Sequence, residues 1–307
     1  MEKVIVVIGP TSVGKTKMGV ALAKKFNGEV ISGDSMQIYK QMDIGTAKVT
    51  EEEKEGIIHH CVDILNSDET YSVHDFQQTV RKKITEITQR GHVPIIVGGT
   101  GLYIKAALYD YQFDEMENDH HAINEKYKDY TNEQLHDHLK SIDEESAKTL
   151  HFNNRRRVLR AIEIYETTGK RKSEMLEEQE HICLYDAYFV GLTLPRDVLY
   201  ERINKRVDVM MENGLKEEME SLIKQGLTRE NQSMKAIGYK EWFDYYDHQI
   251  DLNDVLELIK KHSRQYAKRQ YTWFKNQFDV HWYDVNLENF EQTIEQVTDD
   301  IEKILKV

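Results

Sequence analysis

The segment Gly9-Pro10-Thr11-Ser12-Val13-Gly14-Lys15-Thr16 constrains this chain more than any other stretch. It matches G-x-x-x-x-G-K-[ST], a phosphate-binding loop, and it stands where that motif has to stand. Before it, the apolar run Val4 to Ile8 reads as a strand; after it, Lys15 to Phe26 reads as a helix that Asn27-Gly28 stops. The glycines let backbone N–H groups turn onto phosphate oxygens, and the helix N-terminus adds partial positive charge. Lys15 would neutralise the terminal phosphate, and Thr16 can ligate Mg2+. Glu29 to Ser32 reads as a second strand, so the chain opens as a β-loop-α-β unit of a parallel sheet.

Strand-like runs recur at Ile95–Val97 and Tyr188–Leu194. Between them the pattern changes. A helix begins at Leu102 and runs to Leu108, the chain turns acidic and His-rich from Asp110 to His121, and helical periodicity then continues to about Leu184. From Tyr185 the β-then-α pattern resumes. The expected architecture is α/β: a P-loop NTPase-like parallel sheet flanked by helices, formed by 1–112 and 185–307 and interrupted by an all-helical insertion domain at 113–184. The 307 residues suffice for both, at about 150 residues per domain. The acidic run Glu51–Glu55 reads as a solvated helix face.

At 39% hydrophobic residues in periodic runs, a disordered or low-complexity chain is excluded. The two cysteines, Cys61 and Cys183, are too far apart for a disulfide framework or a metal spacing, which points to a reducing compartment. His59-His60-Cys61 lacks a second ligand pair, so no zinc is expected there. No apolar run approaches the roughly 18 residues that cross a bilayer, and no signal peptide is legible; a cytoplasmic protein without membrane contact is expected.

A net charge of −13 argues against indiscriminate binding of nucleic acid, so a polyanionic partner needs a local basic surface. Two candidates exist. Arg155, Arg156, Arg157 and Arg160 place four arginines in six residues ahead of an apolar helical stretch. Residues 256–275 hold six Lys/Arg and one acid, with Arg264, Lys268, Tyr271 and Lys275 on one helical stripe and Tyr266, Trp273 and Phe274 interleaved.

An ATP hydrolase with such a loop needs an acid at the end of a neighbouring strand. The obvious strand ends instead in Gly98-Gly99-Thr100-Gly101, which offers close backbone approach and one hydroxyl. The carboxylate at the carboxyl end of the sheet is Asp34, a candidate general base or substrate ligand. Arg202 and Arg206 lie on the helix after the Tyr188–Leu194 run, placed to lower an arginine over bound phosphate.

Taken together, these motifs resemble the bacterial tRNA dimethylallyltransferases, also called tRNA isopentenyltransferases. The shared blocks are Gly9–Thr16, Asp34-Ser35-Met36-Gln37-Ile38-Tyr39 with Met42–Lys48, Val97–Thr100, Asn154–Ala161, Ala236-Ile237-Gly238-Tyr239-Lys240-Glu241, and Arg264–Phe274. Departures are Ser263, where the family tends to have Thr, and Glu144, where it tends to have Pro; the C-terminal zinc finger of eukaryotic members is not expected. The resemblance implies transfer of a dimethylallyl group from dimethylallyl diphosphate to N6 of the adenosine 3′ to the anticodon, with pyrophosphate released. It implies that Gly9, Pro10, Thr11, Ser12, Val13, Gly14, Lys15 and Thr16 bind the diphosphate, with Mg2+ on Thr16. Asp34 would take the N6 proton, Thr100 would orient the reacting groups, and Arg206 with Lys15 would stabilise the leaving group. The tRNA anticodon stem-loop would be held by Asp34, Ser35, Met36 and Gln37 around the flipped base, by Arg155, Arg156, Arg157 and Arg160, and by Arg264, Lys268 and Arg269, on a monomer. Two other readings stay open at this point: a small-molecule P-loop kinase, and a nucleotide-gated RNA-binding protein without chemistry.

Overall fold

The computed structural model describes residues 1–111, 120–177 and 181–305. The chain forms two compact units: Met1–Tyr109 with Cys183–Val307, and Asp110–Ile182.

In the first unit, β1 (Lys3–Ile8), α1 (Lys15–Lys25), β2 (Gly28–Ser32), α2 (Glu51–Lys54), β3 (His59–His60), α3 (Val73–Gln89), β4 (Val93–Gly98) and α4 (Gly101–Leu108) precede the second unit. The second unit contains α5 (His120–Lys126), α6 (Asn132–Ile142), α7 (Glu144–Thr149), α8 (Arg155–Thr168) and α9 (Lys172–Glu177). The first unit resumes with β5 (Asp186–Thr193), α10 (Arg196–Glu212), α11 (Leu215–Lys224), α12 (Trp242–Tyr246), α13 (Leu252–Gln277), β6 (His281–Asp284) and α14 (Phe290–Leu305).

The six strands form one all-parallel sheet in the order β3-β2-β4-β1-β5-β6. β1 is central, pairing Val6 with Ile96 on one side and with Phe189 on the other. Helices cover both faces, which is why β1 is a continuous apolar run rather than an alternating one. Val4, Val6 and Ile8 join one core with Phe76, Ile96 and Phe274; Ile5 and Val7 join the other with Met18, Leu22 and Val297. All five are fully buried, each burial worth roughly 1.5–3 kcal/mol. β3 and β6 carried no sequence signal. Both are sheet-edge strands of two and four mostly polar residues, too short for any hydrophobic period.

The carboxyl ends of β1, β2 and β4 lie side by side, so the loops that leave them share one edge of the sheet. The acidic Glu51–Lys54 turn is capped by Thr50 and Glu53 and has no buried residue. The second unit has its own core, in which Leu135, Leu139, Val158 and Ile162 are fully buried. Capping boxes at Thr131/Gln134, Ser72/Asp75 and Asp251/Asp254 start α6, α3 and α13.

Candidate active site

The phosphate loop wraps from β1 into α1 with Gly9 at φ +148° and Gly14 at +105°. A side chain at Gly9 would also meet the Leu192 carbonyl oxygen at 2.6 Å, so glycine is required twice over. Lys15 Nζ turns back to donate to the carbonyls of Gly9 (3.1 Å) and Pro10 (2.8 Å). Burial, and next the charge of Arg206, lower its pKa to about 7, against an opposing pull from Asp34. From α10, Arg202 Nε donates to Ser12 O at 3.0 Å and Arg206 Nη1 to Thr11 Oγ1 at 3.4 Å. Both arginines therefore touch the loop itself. Ser12 Oγ is buried and has no hydrogen-bond partner, an unmet demand that a phosphate oxygen would satisfy.

Asp34 leaves the end of β2, and its Oδ1 accepts the Met36 N–H at 2.8 Å. Thr100, after β4, locks that turn: its Oγ1 accepts the Ser35 N–H (3.1 Å) and donates to Ser35 Oγ (3.3 Å). Thr100 thus touches the Asp34 segment rather than lining the cavity.

A cavity of about 310 Å³ opens between these parts. Its lining includes Thr11 and Ser12 of the phosphate loop with Arg206, and Asp34, Ser35 and Met36 from the turn after β2. Ile203, Val207, Met210, Ile237 and Ile259 are apolar lining residues, and Lys235, Lys240 and Arg269, all exposed, line it as well. The combination of an anion site, a carboxylate and an apolar wall suits an amphiphilic ligand with a charged head. Tyr266 also lines it, reaching Gly99 O at 3.3 Å with Arg269 over its ring. Burial and the nearby Asp34 push its hydroxyl up to about 12, so it stays a donor.

Other candidates sit differently. Gln37 is engaged on both sides: its Oε1 accepts from Ser32 Oγ (3.1 Å), and its Nε2 donates to the Thr46 and Ala47 carbonyls (3.4 and 3.3 Å). On α13, Arg264 is tied to Asn204 Oδ1, whereas Lys268 is exposed. In the second unit the α8 arginines divide. Arg155 donates to the Tyr127 and Tyr130 carbonyls (2.6 Å each), and Arg160 pairs with buried Glu163 (2.8 Å), while Arg156 and Arg157 are exposed.

Several contributors had no role legible in the sequence. Glu218 on α11 accepts the N–H groups of Asp43, Ile44 and Gly45 (2.8, 2.8 and 3.1 Å) and the Tyr239 hydroxyl (2.6 Å). It thereby fixes the loop that gives Gly45, Thr46 and Ala47 to the cavity. Lys48, buried, holds the same loop from its other end through Tyr39 O (2.7 Å), Asp43 and Asp63 Oδ1 (2.6 Å). The shared blocks Met42–Lys48 and Ala236–Glu241, which carried no individual roles in the sequence, are the signal that covers Lys48, Tyr239 and Lys240, whereas Glu218 lies in neither.

No cluster of three or more His, Cys, Asp or Glu able to hold a metal occurs among the described residues. A cation here would depend on hydroxyl and phosphate oxygens, a donor set that Mg2+ accepts. No helix of the described residues is long and apolar enough to cross a membrane.

A family model described as IPP transferase matches residues 37–277. The tRNA dimethylallyltransferase of Bacillus cereus (strain AH187) is 54% identical over 287 residues, 92% of this chain and 90% of that protein. The crystal structure of tRNA delta(2)-isopentenylpyrophosphate transferase from Staphylococcus epidermidis superposes with a TM-score of 0.74 at 47% identity, over 99% of both chains. A eukaryotic dimethylallyltransferase acting on tRNA gives a TM-score of 0.85 at 33% identity, over 99% of this chain and 79% of that one.

Proposed function

The chain belongs to the IPP transferase family, and we propose that it transfers a dimethylallyl group from dimethylallyl diphosphate to N6 of the adenosine 3′ to the anticodon of tRNA. The observation that carries this reading is one cavity whose lining brings together Thr11, Ser12 and Arg206, the carboxylate of Asp34, and the apolar side chains of Ile203, Val207 and Met210.

In this reading the diphosphate occupies the phosphate loop and the dimethylallyl chain lies along Ile203, Val207 and Met210. The exocyclic amine attacks the allylic carbon; the carbon–oxygen bond breaks as the carbon–nitrogen bond forms, and pyrophosphate leaves. The amine is a poor nucleophile until its proton has somewhere to go, and Asp34 accepts it. Thr100 keeps the Asp34–Met36 turn in place. Charge building on the leaving group is met by Lys15, Arg206 and the loop N–H groups. Thr16, half-buried at the start of α1, would hold Mg2+, which when bound adds further neutralisation of the diphosphate. Lys235, Lys240, Arg269 and Lys268 are placed to receive phosphates of the anticodon stem-loop next to a base flipped into the cavity. Arg156 and Arg157 are assigned to the same RNA, and the enzyme to the cytoplasm as a monomer.

A small-molecule kinase would share the loop and the carboxylate, but its relatives would not carry tRNA prenyl transfer in their names. Incubation with dimethylallyl diphosphate and unmodified tRNA, in parallel with ATP and a panel of small alcohols, tests the reading. Mass analysis of the tRNA digest should show an adenosine heavier by one dimethylallyl group in place of hydrogen. Phosphoryl transfer to an alcohol, or bound tRNA without that adduct, would refute it.

A further inference from the structure

Gln270 lies on α13 and is 5% exposed, with both ends of its amide used far along the chain. Its Oε1 accepts the N–H of Thr11 at 2.9 Å, and its Nε2 donates to the carbonyl of Gly99 at 2.9 Å. These partners belong to different loops, one following β1 and one following β4. The register between those strands ends at Ile8 and Gly98, and no backbone hydrogen bond joins the two loops beyond it. The Gln270 amide takes the place of such a bond, accepting from one loop and donating to the other as a peptide group would. The fit is tight: a side chain at Gly99 would stand 2.1 Å from Gln270 Nε2, and the same point is 3.9 Å from Lys15 Nζ. Tyr266, one helical turn earlier, reaches the same carbonyl.

We infer that Gln270 is a positioning residue for the diphosphate, holding the phosphate loop at a fixed spacing from the turn that carries Thr100. The inference rests on the diphosphate reading given above. Thr100 in turn secures the Asp34 segment, so Gln270 links the leaving-group side of the cavity to the base side. An amide suits this position because it offers one acceptor and one donor without charge. A carboxylate would turn lone pairs toward the Gly99 carbonyl and draw the Lys15 ammonium away from the diphosphate. An apolar side chain would leave the Thr11 N–H without its acceptor and the Gly99 carbonyl with only the longer Tyr266 contact.

The test is calorimetric binding of inorganic pyrophosphate, at fixed Mg2+, to the wild type, Gln270→Glu and Gln270→Met, at about pH 8 and about pH 5, each variant compared with the wild type at the same pH. Gln270→Met should lose about tenfold or more in affinity at both pH values. Gln270→Glu should lose at least as much at the higher pH and return to within about threefold of the wild type at the lower, where a protonated carboxyl again donates to Gly99 and accepts from Thr11. Wild-type affinity in Gln270→Met, or a Gln270→Glu deficit that ignores pH, would reduce Gln270 to a space-filling residue and overturn the inference. Hydrogen exchange on the unsubstituted protein is independent of variant folding: the Thr11 amide should be protected before any ligand is added, and fast exchange there overturns the inference too. A wild type that binds no pyrophosphate would overturn the diphosphate reading itself, and this inference with it.

Discussion

Asp34 Oδ1 accepts the Met36 N–H at 2.8 Å, which orients the carboxylate in a cavity it shares with the phosphate loop. Asp34→Asn keeps this acceptor and removes the base. Single-turnover transfer should fall by roughly 10²–10⁴, while calorimetric binding of dimethylallyl diphosphate stays within about threefold of wild type. Loss of donor binding with a near-normal rate at saturation would make Asp34 a diphosphate or cation ligand instead.

Lys15 is held at a pKa of about 7 by burial and then by Arg206, so much of it is neutral in the free protein above neutrality. A bound diphosphate restores its charge. Donor binding near pH 8 should therefore take up close to one proton, measurable in buffers of different ionisation enthalpy, and Lys15→Met should abolish that uptake. The stability consequence has a definite sign. Between the folded value and the ordinary 10.5 the unfolded chain binds more protons, so this residue makes stability rise with pH across that window.

The arginines of α8 should separate into two classes. Arg156→Ala and Arg157→Ala, both exposed, should each lower the slope of log affinity for tRNA against log salt by nearly one. Arg155→Ala instead strips its donors from the Tyr127 and Tyr130 carbonyls and should destabilise the helical unit by about 1–3 kcal/mol. Salt titrations and urea unfolding on the three variants give both readouts.

Glu218→Ala leaves the N–H groups of Asp43, Ile44 and Gly45 without their acceptor. Unfolding should cost about 1–3 kcal/mol less, and turnover on tRNA should fall while donor binding holds. Equal losses in donor binding and turnover would mean that the loop serves the diphosphate rather than the acceptor.

Glu29 is 2% exposed at the start of β2, where burial alone would raise its pKa. Hydrogen bonds from Arg90 (2.7 and 3.0 Å), His60 (2.6 Å) and His92 (2.7 Å) outweigh that and hold it at about 2. A depressed carboxylate contributes its stability above its unfolded pKa and loses it as pH falls from about 4.5 through about 2. Acid titration of stability in Glu29→Gln should lack that component, on the order of 3 kcal/mol.

The amino-acid sequence by itself determined whatever is written in contiguous residues. A glycine-bounded loop between an apolar run and a helix specifies an anion site through local backbone geometry alone, so Gly9–Thr16, the parallel β-loop-α-β opening and the placement of Asp34 and Thr100 at strand ends were legible. The helical periodicity between 120 and 177 was legible for the same reason, because amphipathic spacing is a local property. Only the tertiary structure decided which polar side chains serve the site. Gln270 meets Thr11 across 259 positions and Glu218 meets Asp43 across 175; the Arg264–Phe274 block contains Gln270 but nothing in it points to Thr11, and Glu218 lies in no motif. It also decided that Arg155 caps carbonyls while its neighbours Arg156 and Arg157 face solvent, since one run of like charges on a helix projects in several directions. A hydrogen bond between distant segments needs both partners brought within about 3 Å, and that distance is set by how the whole sheet and its helices pack, not by the local chain.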